Sequence, residues 1–441
     1  MPRSNAAAVA LRASRCLLTV ILLSSPGISQ TMAAASVVKV QKKSDGGYEL
    51  IRNGQPFFIN GAGGSSHLDL LKELGGNSLR TWGIEQLDEV KEGKTLLQKA
   101  NDLGLAVAAG IWIGHGRHGF DYSNEAQIKK QRDAVRAAVL KYKDDPAILV
   151  WGLGNEMEGP ASDGKDVRIW KELDYLCTMV HQLDPNHPVM TVIAGATDPK
   201  VRAIAANYPS LDILGVNAYA SATGVGKALK SAGWTKPFVL TEFGPSGAWE
   251  VQKTSWGAPI EPAGQQKAGA YFSTARTVID DGRGTCLGTY AFLWGNKQET
   301  TSTWYGMFLP TGEKLPPVDA MSFIWTGKFP ANRCPKLKRF ISAADSKTIA
   351  PESTNTAKAE VADAAGNPLT YDWSVVSEST DRKVGGDTEA APPSHPECVV
   401  EGKGPELTFR APATAGAYRV FLVVRDGKGG ATSANFPFRV Q

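Results

Sequence analysis

The chain has 441 residues, 42% of them hydrophobic, so it is long enough for a large core and for more than one domain. Its 48 basic and 44 acidic residues leave a formal charge of +4, spread without long like-charge blocks. That distribution excludes a strongly charged polymer as the expected partner: no nucleic-acid patch and no membrane-surface patch is present in the sequence.

The first 35 residues read as a secretory signal. Arg3, Arg12 and Arg15 make a basic start, Leu17 to Leu23 is apolar, and Ala33-Ala34-Ala35 offers a small-residue cleavage site, which predicts a secreted or periplasmic protein. No apolar run reaches the ~20 residues of a membrane span. Four cysteines follow this segment, Cys177, Cys286, Cys334 and Cys398, with no C-x-x-C spacing, so a structural zinc site is not expected. Cys177 and Cys286 read as buried thiols, while Cys334 and Cys398 are the pair considered for a bridge, the connectivity being open.

A hairpin-like entry spans Lys39 to Gly54, with Tyr48–Ile51 as a strand and a turn at Arg52-Asn53-Gly54. Apolar strand-like runs then alternate with amphipathic helices. The runs are Phe57–Gly61, Asn77–Gly83, Leu105–Ile113, Ile148–Glu156, Val189–Ile193, Leu211–Asn217, Pro237–Gly244 and Cys286–Trp294. Between and after them helices are predicted over Leu68–Leu74, Leu96–Leu103, Asn124–Tyr142, Val167–Leu183, Val201–Ala206, Gly224–Ala232, Gln265–Asp280 and Val318–Trp325. Strands that are continuously apolar are buried on both faces, as in parallel sheets. Eight such units predict a (β/α)8 TIM barrel over residues 37–331. An open doubly wound sheet is the rival, but Gly61-Ala-Gly-Gly64 misses the full G-x-G-x-x-G spacing.

After Lys328 the texture changes. Residues 332–356 are expected to form a linker, because Ser342 to Thr356 is polar and poor in apolar residues. Short β-type runs separated by turn signals follow over 357–441: Ala357–Val361, Leu369–Val375, Glu406–Phe409, Gly416–Val424 and Ala434–Val440. They predict a β-sandwich. The runs Asp363–Trp373 and Ala415–Gly430 resemble the immunoglobulin-like (PKD-like) modules of secreted bacterial enzymes, which implies an accessory role.

In a parallel barrel the chemistry gathers where strands end. The strand ends carry Arg80 and Trp82, Trp112 and His115, Asn155 and Glu156, Asn217 and Tyr219, Glu242, and Trp294. Glu156 and Glu242 are far apart in sequence, and only a closed barrel brings them face to face. Two carboxyls facing each other across a cleft are the equipment for cleaving a glycosidic bond. The bland reading of either residue is a solvated or helix-capping charge. Arg80 also reads as a structural ion-pair partner, and His115 with His118 lacks the further ligands a metal needs. Trp82, Trp112, Trp249, Trp256 and Trp304 read either as core or as cleft residues.

Gly154-Asn155-Glu156 ending the fourth strand and Thr241-Glu242-Phe243-Gly244 on the seventh resemble the acid/base and nucleophile motifs of the retaining β-glycosidases of the barrel-fold clan A, most nearly families 2 and 5. The resemblance covers Tyr48 to Gly327. It implies Glu156 as acid/base and Glu242 as nucleophile, with Arg80, Tyr219 and Trp294 at the clan's supporting positions. Asn217 departs from the pattern, since many relatives carry His there. On this reading Arg80 and Tyr219 hold Glu242, Asn155 donates to a sugar hydroxyl, and Trp294 forms a platform under the sugar ring. Trp112, His115 and Asn217 complete the substrate contacts. No cofactor or metal is implied, and the partner is an oligo- or polysaccharide, first a β-glucan. The alternatives are a β-glucan transglycosylase using the same two glutamates, or a non-catalytic carbohydrate-binding protein on the same fold.

Overall fold

The computed structural model describes residues 34–158 and 163–441; the expected signal segment lies outside the described residues apart from its last two. Eight parallel strands close into a barrel. They are β1 (Ile59–Gly63), β2 (Ser78–Arg80), β3 (Ala106–Ile111), β4 (Ile148–Leu153), β5 (Val189–Ala194), β6 (Ile213–Asn217), β7 (Phe238–Phe243) and β8 (Cys286–Ala291). Closure comes from β8 pairing with β1, Tyr290 opposite Gly61 and Ala291 opposite Ala62. The expected TIM barrel is therefore the observed one, and the open-sheet alternative is excluded.

The helices that cover it are α1 (Leu68–Glu73), α2 (Leu96–Leu103), α3 (Glu125–Tyr142), α4 (Val167–Leu183), α5 (Asp198–Asn207), α6 (Val225–Ser231), α7 (Gly264–Asp281) and α8 (Pro316–Thr326). Their ends follow local chemistry. Thr95 and Gln98 form a reciprocal capping box at the start of α2, and Gly104 ends it at φ 63°. Asn124 caps α3 by accepting from the Ala126 and Gln127 amides.

The two-residue period of the strands divides the interior. On β3, Val107 and Ala109 join the core under the helices, whereas Ala106 and Ala108 face the barrel axis. The axial core is completed from below by a three-stranded antiparallel sheet (Val38–Lys42, Tyr48–Arg52, Gln55–Phe57), whose Val38 and Leu50 pack against Ile59, Leu149 and Met190. The expected hairpin is thus part of a floor that seals the end opposite the strand C-termini.

The C-terminal part holds two four-stranded sheets around a separate core that includes Trp373, Leu407, Val420 and Phe438. Its strands are β9 (Lys336–Ser342), β10 (Thr348–Ile349), β11 (Thr354–Ala362), β12 (Thr370–Ser377), β13 (Val399–Glu401), β14 (Glu406–Arg410), β15 (Gly416–Arg425) and β16 (Ala431–Val440). The sheet orders are β9-β11-β14-β13 and β10-β16-β15-β12. Residues 332–356 are not simply a linker: β9 pairs with β11, and β10 pairs with β16. Charge masked β9, because in Lys336-Leu-Lys-Arg-Phe-Ile-Ser342 only Leu337 and Phe340 pack against the core, three residues apart across a register shift, so the two-residue period is lost.

The sandwich is fastened to the barrel by buried polar groups. Arg419, 1% exposed, pairs with Glu378 at 2.9 Å and donates to the Pro259 carbonyl at 2.9 Å. Glu261 binds Lys267, Thr301 and, across the boundary, the Asn435 amide at 2.6 Å. No bridge joins Cys334 and Cys398: both are free and buried. Cys334 sits against Lys314 beside the barrel, whereas Cys398 belongs to the sandwich core. Among the described residues no helix is long and apolar enough to cross a membrane.

Candidate active site

At the C-terminal ends of the strands lies a cleft of about 820 Å³, lined by Glu156, Glu242, Trp82, Trp112, Trp249 and Phe292 among others. Asn217 ends β6 opposite Glu242 on β7, and a register shift between Val216 and Asn217 re-aims this pair. Glu242 is buried and its oxygens meet three donors. Arg80 Nη1 lies 2.8 Å from Oε1, Trp82 Nε1 2.9 Å from the same oxygen, and the Tyr219 hydroxyl 3.1 Å from Oε2. Burial, followed by the nearby Glu242 charge, holds the Tyr219 phenol far above its ordinary range, so it stays a donor.

Arg80 reaches further. Its Nη2 donates to Asn155 Oδ1 at 2.7 Å, which also accepts from Asn217 Nδ2 at 3.1 Å. A guanidinium only donates, so the Asn155 oxygen must face it, and the Asn155 amide nitrogen is left for a cleft hydroxyl. Asn217 Nδ2 is also 2.9 Å from Glu156 Oε1, while its oxygen accepts from Thr241 at 2.8 Å. A continuous chain of hydrogen bonds thus runs from one glutamate to the other.

Glu156 is placed by strain. After β4 the backbone turns at Gly154 (φ 74°), and Glu156 itself adopts φ 52°, a left-handed conformation that a non-glycine residue holds at a cost of about 1–3 kcal/mol. Its amide donates to the Val192 carbonyl at 2.9 Å. Two residues on, Glu158 accepts from the Ala194 amide at 2.6 Å and pairs with Lys200 at 2.7 Å, which pins the turn to β5. Burial, then the Glu242 charge, push the Glu156 carboxyl up to about 7, against the lowering effect of the Asn217 amide. Among the described residues the two carboxyls therefore differ in surroundings: Glu242 has a cation and two further donors, Glu156 one amide.

Trp112 lines the cleft at 40% exposure. His115 does not line it. It is buried, its Nδ1 accepts from Arg117 Nη1 at 2.9 Å, and burial with the Arg117 charge lowers its pKa to about 4, so it is a neutral prop for Arg117. Trp294 does not form the expected platform. It is fully buried, donates to the His67 carbonyl at 3.3 Å, and packs on Phe308 and Trp325. The aromatic ring beyond β8 that lines the cleft is Phe292, two residues earlier and edge-on to Trp82 and Tyr219. Arg80 lies beneath Glu242 and Asn155 rather than on the cleft lining. Trp82 and Phe292 were absent from the expected substrate contacts, although Trp82 follows Arg80 at the two-residue period that puts side chains on one face. Trp304 is buried core, and Trp256 borders a second, smaller hollow beside the sandwich.

Residues 70–248 match the family described as glycosyl hydrolases family 2, TIM barrel domain. Over that stretch the barrel is similar to glycoside hydrolase domains. The chain is 23% identical to a probable mannan endo-1,4-beta-mannosidase F of Aspergillus oryzae, over 46% of this chain and 57% of that protein. It is 24% identical to the mannan endo-1,4-beta-mannosidase F of Aspergillus clavatus, over 31% of this chain and 40% of that protein. The chain thus spans about half the length of the curated relatives it matches. Among solved structures, a beta-D-glucuronidase of Dictyoglomus thermophilum superposes with a TM-score of 0.50 at 17% identity, covering 67% of this chain and 54% of that one, a likeness of fold.

Proposed function

We propose that the chain is a secreted or periplasmic retaining β-glycosidase acting on β-linked oligo- or polysaccharides, with Glu242 as nucleophile and Glu156 as acid/base. The observation that carries this is the unequal setting of the two carboxyls. In the first step Glu242 attacks the anomeric carbon while the proton on Glu156 passes to the leaving oxygen, giving a glycosyl ester and a free sugar hydroxyl. In the second, ionised Glu156 takes a proton from water as that water displaces Glu242. Arg80, Trp82 and Tyr219 orient Glu242 throughout. Asn155, with its oxygen tied to Arg80, donates to the hydroxyl beside the reacting carbon, and Phe292, Trp112 and Trp249 pack against apolar sugar faces.

The substrate's sugar is approached from two sides. The names of the Aspergillus relatives put β-1,4-mannan first in the assay, with β-glucan, the guess from the sequence, beside it. The sandwich, whose strands begin at Lys336 and which is of immunoglobulin-like kind on its resemblance, accompanies the catalytic barrel. The test is digestion of mannans, β-glucans and aryl β-glycosides by the wild type and by Glu242→Gln. Cleavage by the wild type and loss of about 10³-fold or more in the variant supports the assignment; undiminished turnover in the variant removes Glu242 as nucleophile. Product sizes separate hydrolysis from transfer to a second sugar. Polysaccharide binding with no cleavage would establish the binding-protein alternative.

A further inference from the structure

The cleft is not built from the barrel alone. Lys383, Val384, Gly385, Gly386 and Asp387, between β12 and β13 of the sandwich, are part of its lining. This segment is fixed at both sides of the cleft mouth. On the side of the loop after β3, Asp387 lies 3.2 Å from His118 Nε2 and 3.7 Å from Arg117 Nη2. On the side of the loop after β8, Lys297 donates to the Gly386 carbonyl at 2.6 Å, and the Thr300 amide to Glu389 Oε2 at 2.6 Å. Glu389 is buried and its other oxygen accepts from the Lys383 amide at 3.0 Å, so the segment is braced internally as well.

Gly385 and Gly386 have φ 67° and 75°. A Cβ at Gly385 would fall 2.9 Å from the Arg117 guanidinium carbon, and one at Gly386 3.1 Å from Lys297 Nζ. The backbone is therefore flanked by the ends of one side chain from each barrel loop, in a left-handed conformation that glycine adopts without strain. Val384 projects outward at 55% exposure, an apolar side chain at the rim of an aromatic cleft.

We propose that this sandwich segment is a wall that closes one end of the sugar cleft, limiting how many sugar units a substrate extends past the cleavage point and so favouring chain ends and short oligosaccharides over the interior of a polymer. The proposal rests on the glycosidase reading above. Resisting a substrate's continuation by backbone contact costs the enzyme nothing at the reacting carbon, so the wall acts on substrate length and not on bond chemistry.

The test compares the full-length wild type with two variants: residues 382–388 replaced by a short Gly-Ser linker, and Val384→Trp. For each, kcat/KM is measured on an aryl β-glycoside, on a length series of the cleaved oligosaccharide and on the polymer, with product sizes. Opening the wall raises the polymer-to-aryl-glycoside ratio about tenfold and yields longer internal fragments; Val384→Trp lowers the ratio for the longer oligosaccharides by a similar factor. If the linker variant does not fold, the single exposed substitution decides alone. Unchanged length profiles and products in the folded variants overturn the wall. A wild type that cleaves no glycoside instead overturns the glycosidase reading, and the wall's role with it.

Discussion

Replacing Glu156 by Gln separates its catalytic role from its cost to the fold. The Glu156 carboxyl is raised from the ordinary 4.5 to about 7. At about 1.4 kcal/mol per pH unit, that difference means ionised Glu156 destabilises the folded state by roughly 3 kcal/mol. The sign follows from where the proton resides. Below 4.5 both folded and unfolded chains hold it, and the group's contribution is fully present. As pH rises toward 7 the unfolded chain releases the proton first, so stability falls, and the loss is complete above 7. Gln cannot ionise, and its oxygen still accepts from Asn217. Urea titrations of both proteins from acid to pH ~8 should show the variant gaining on the wild type, from near zero to roughly 3 kcal/mol. Over the same range the variant loses about 10²–10⁴-fold in kcat/KM on glycosides with poor leaving groups. A stability difference that does not change with pH refutes the reasoning, because it would mean that Glu156 titrates alike in both states.

Arg80→Met leaves Glu242 buried beside two neutral donors and releases Asn155; a loss of about 3–5 kcal/mol in denaturant stability is expected, together with a fall in kcat. A variant as stable as the wild type would show that the pair is solvated. Phe292→Ala should raise KM for oligosaccharides, while Trp294→Phe should lower the denaturation midpoint with KM little changed; the reverse pattern would restore Trp294 as the sugar platform. Arg419→Met leaves Glu378 with Arg382 alone at 3.2 Å and takes the donor from the Pro259 carbonyl, which should cost about 1–3 kcal/mol, read by urea unfolding, and an unaltered midpoint would show that the boundary carries little stability.

Much of the barrel was legible because eight continuously apolar runs alternate with amphipathic helices. Ile148–Leu153 gives way to Gly-Asn-Glu within three positions, and Arg80 closes β2 in the same way, whereas Glu242 interrupts the apolar run of β7 one residue before its end. Tyr219, two residues beyond Asn217, was placed by the same logic. What escaped were facts of direction. Trp294 and Phe292 share a strand exit, and only the course of the backbone beyond β8 decides which ring turns to the cleft and which to α8. His115 had the right address, yet its ring turns into the protein to meet Arg117. The wall segment was invisible for another reason: Asp381–Glu389 is polar and glycine-bearing, like any inter-strand turn, and its role arises from how one folded unit sits on another. Hydrophobic period carries no information on that placement.

The grip of Arg419 on the Pro259 carbonyl has a consequence for recombining these parts. Modules joined by flexible tethers can be exchanged like cassettes, since neither neighbour shapes the other. This sandwich carries a buried cation whose partners include a carbonyl of the barrel, and an asparagine that meets a barrel carboxylate. Grafted onto a foreign barrel, it would bring an arginine with no carbonyl to meet; stripped from its own, it would leave Glu261 and Lys267 facing water and the loop after β8 without its brace. The natural unit for transplantation is the pair.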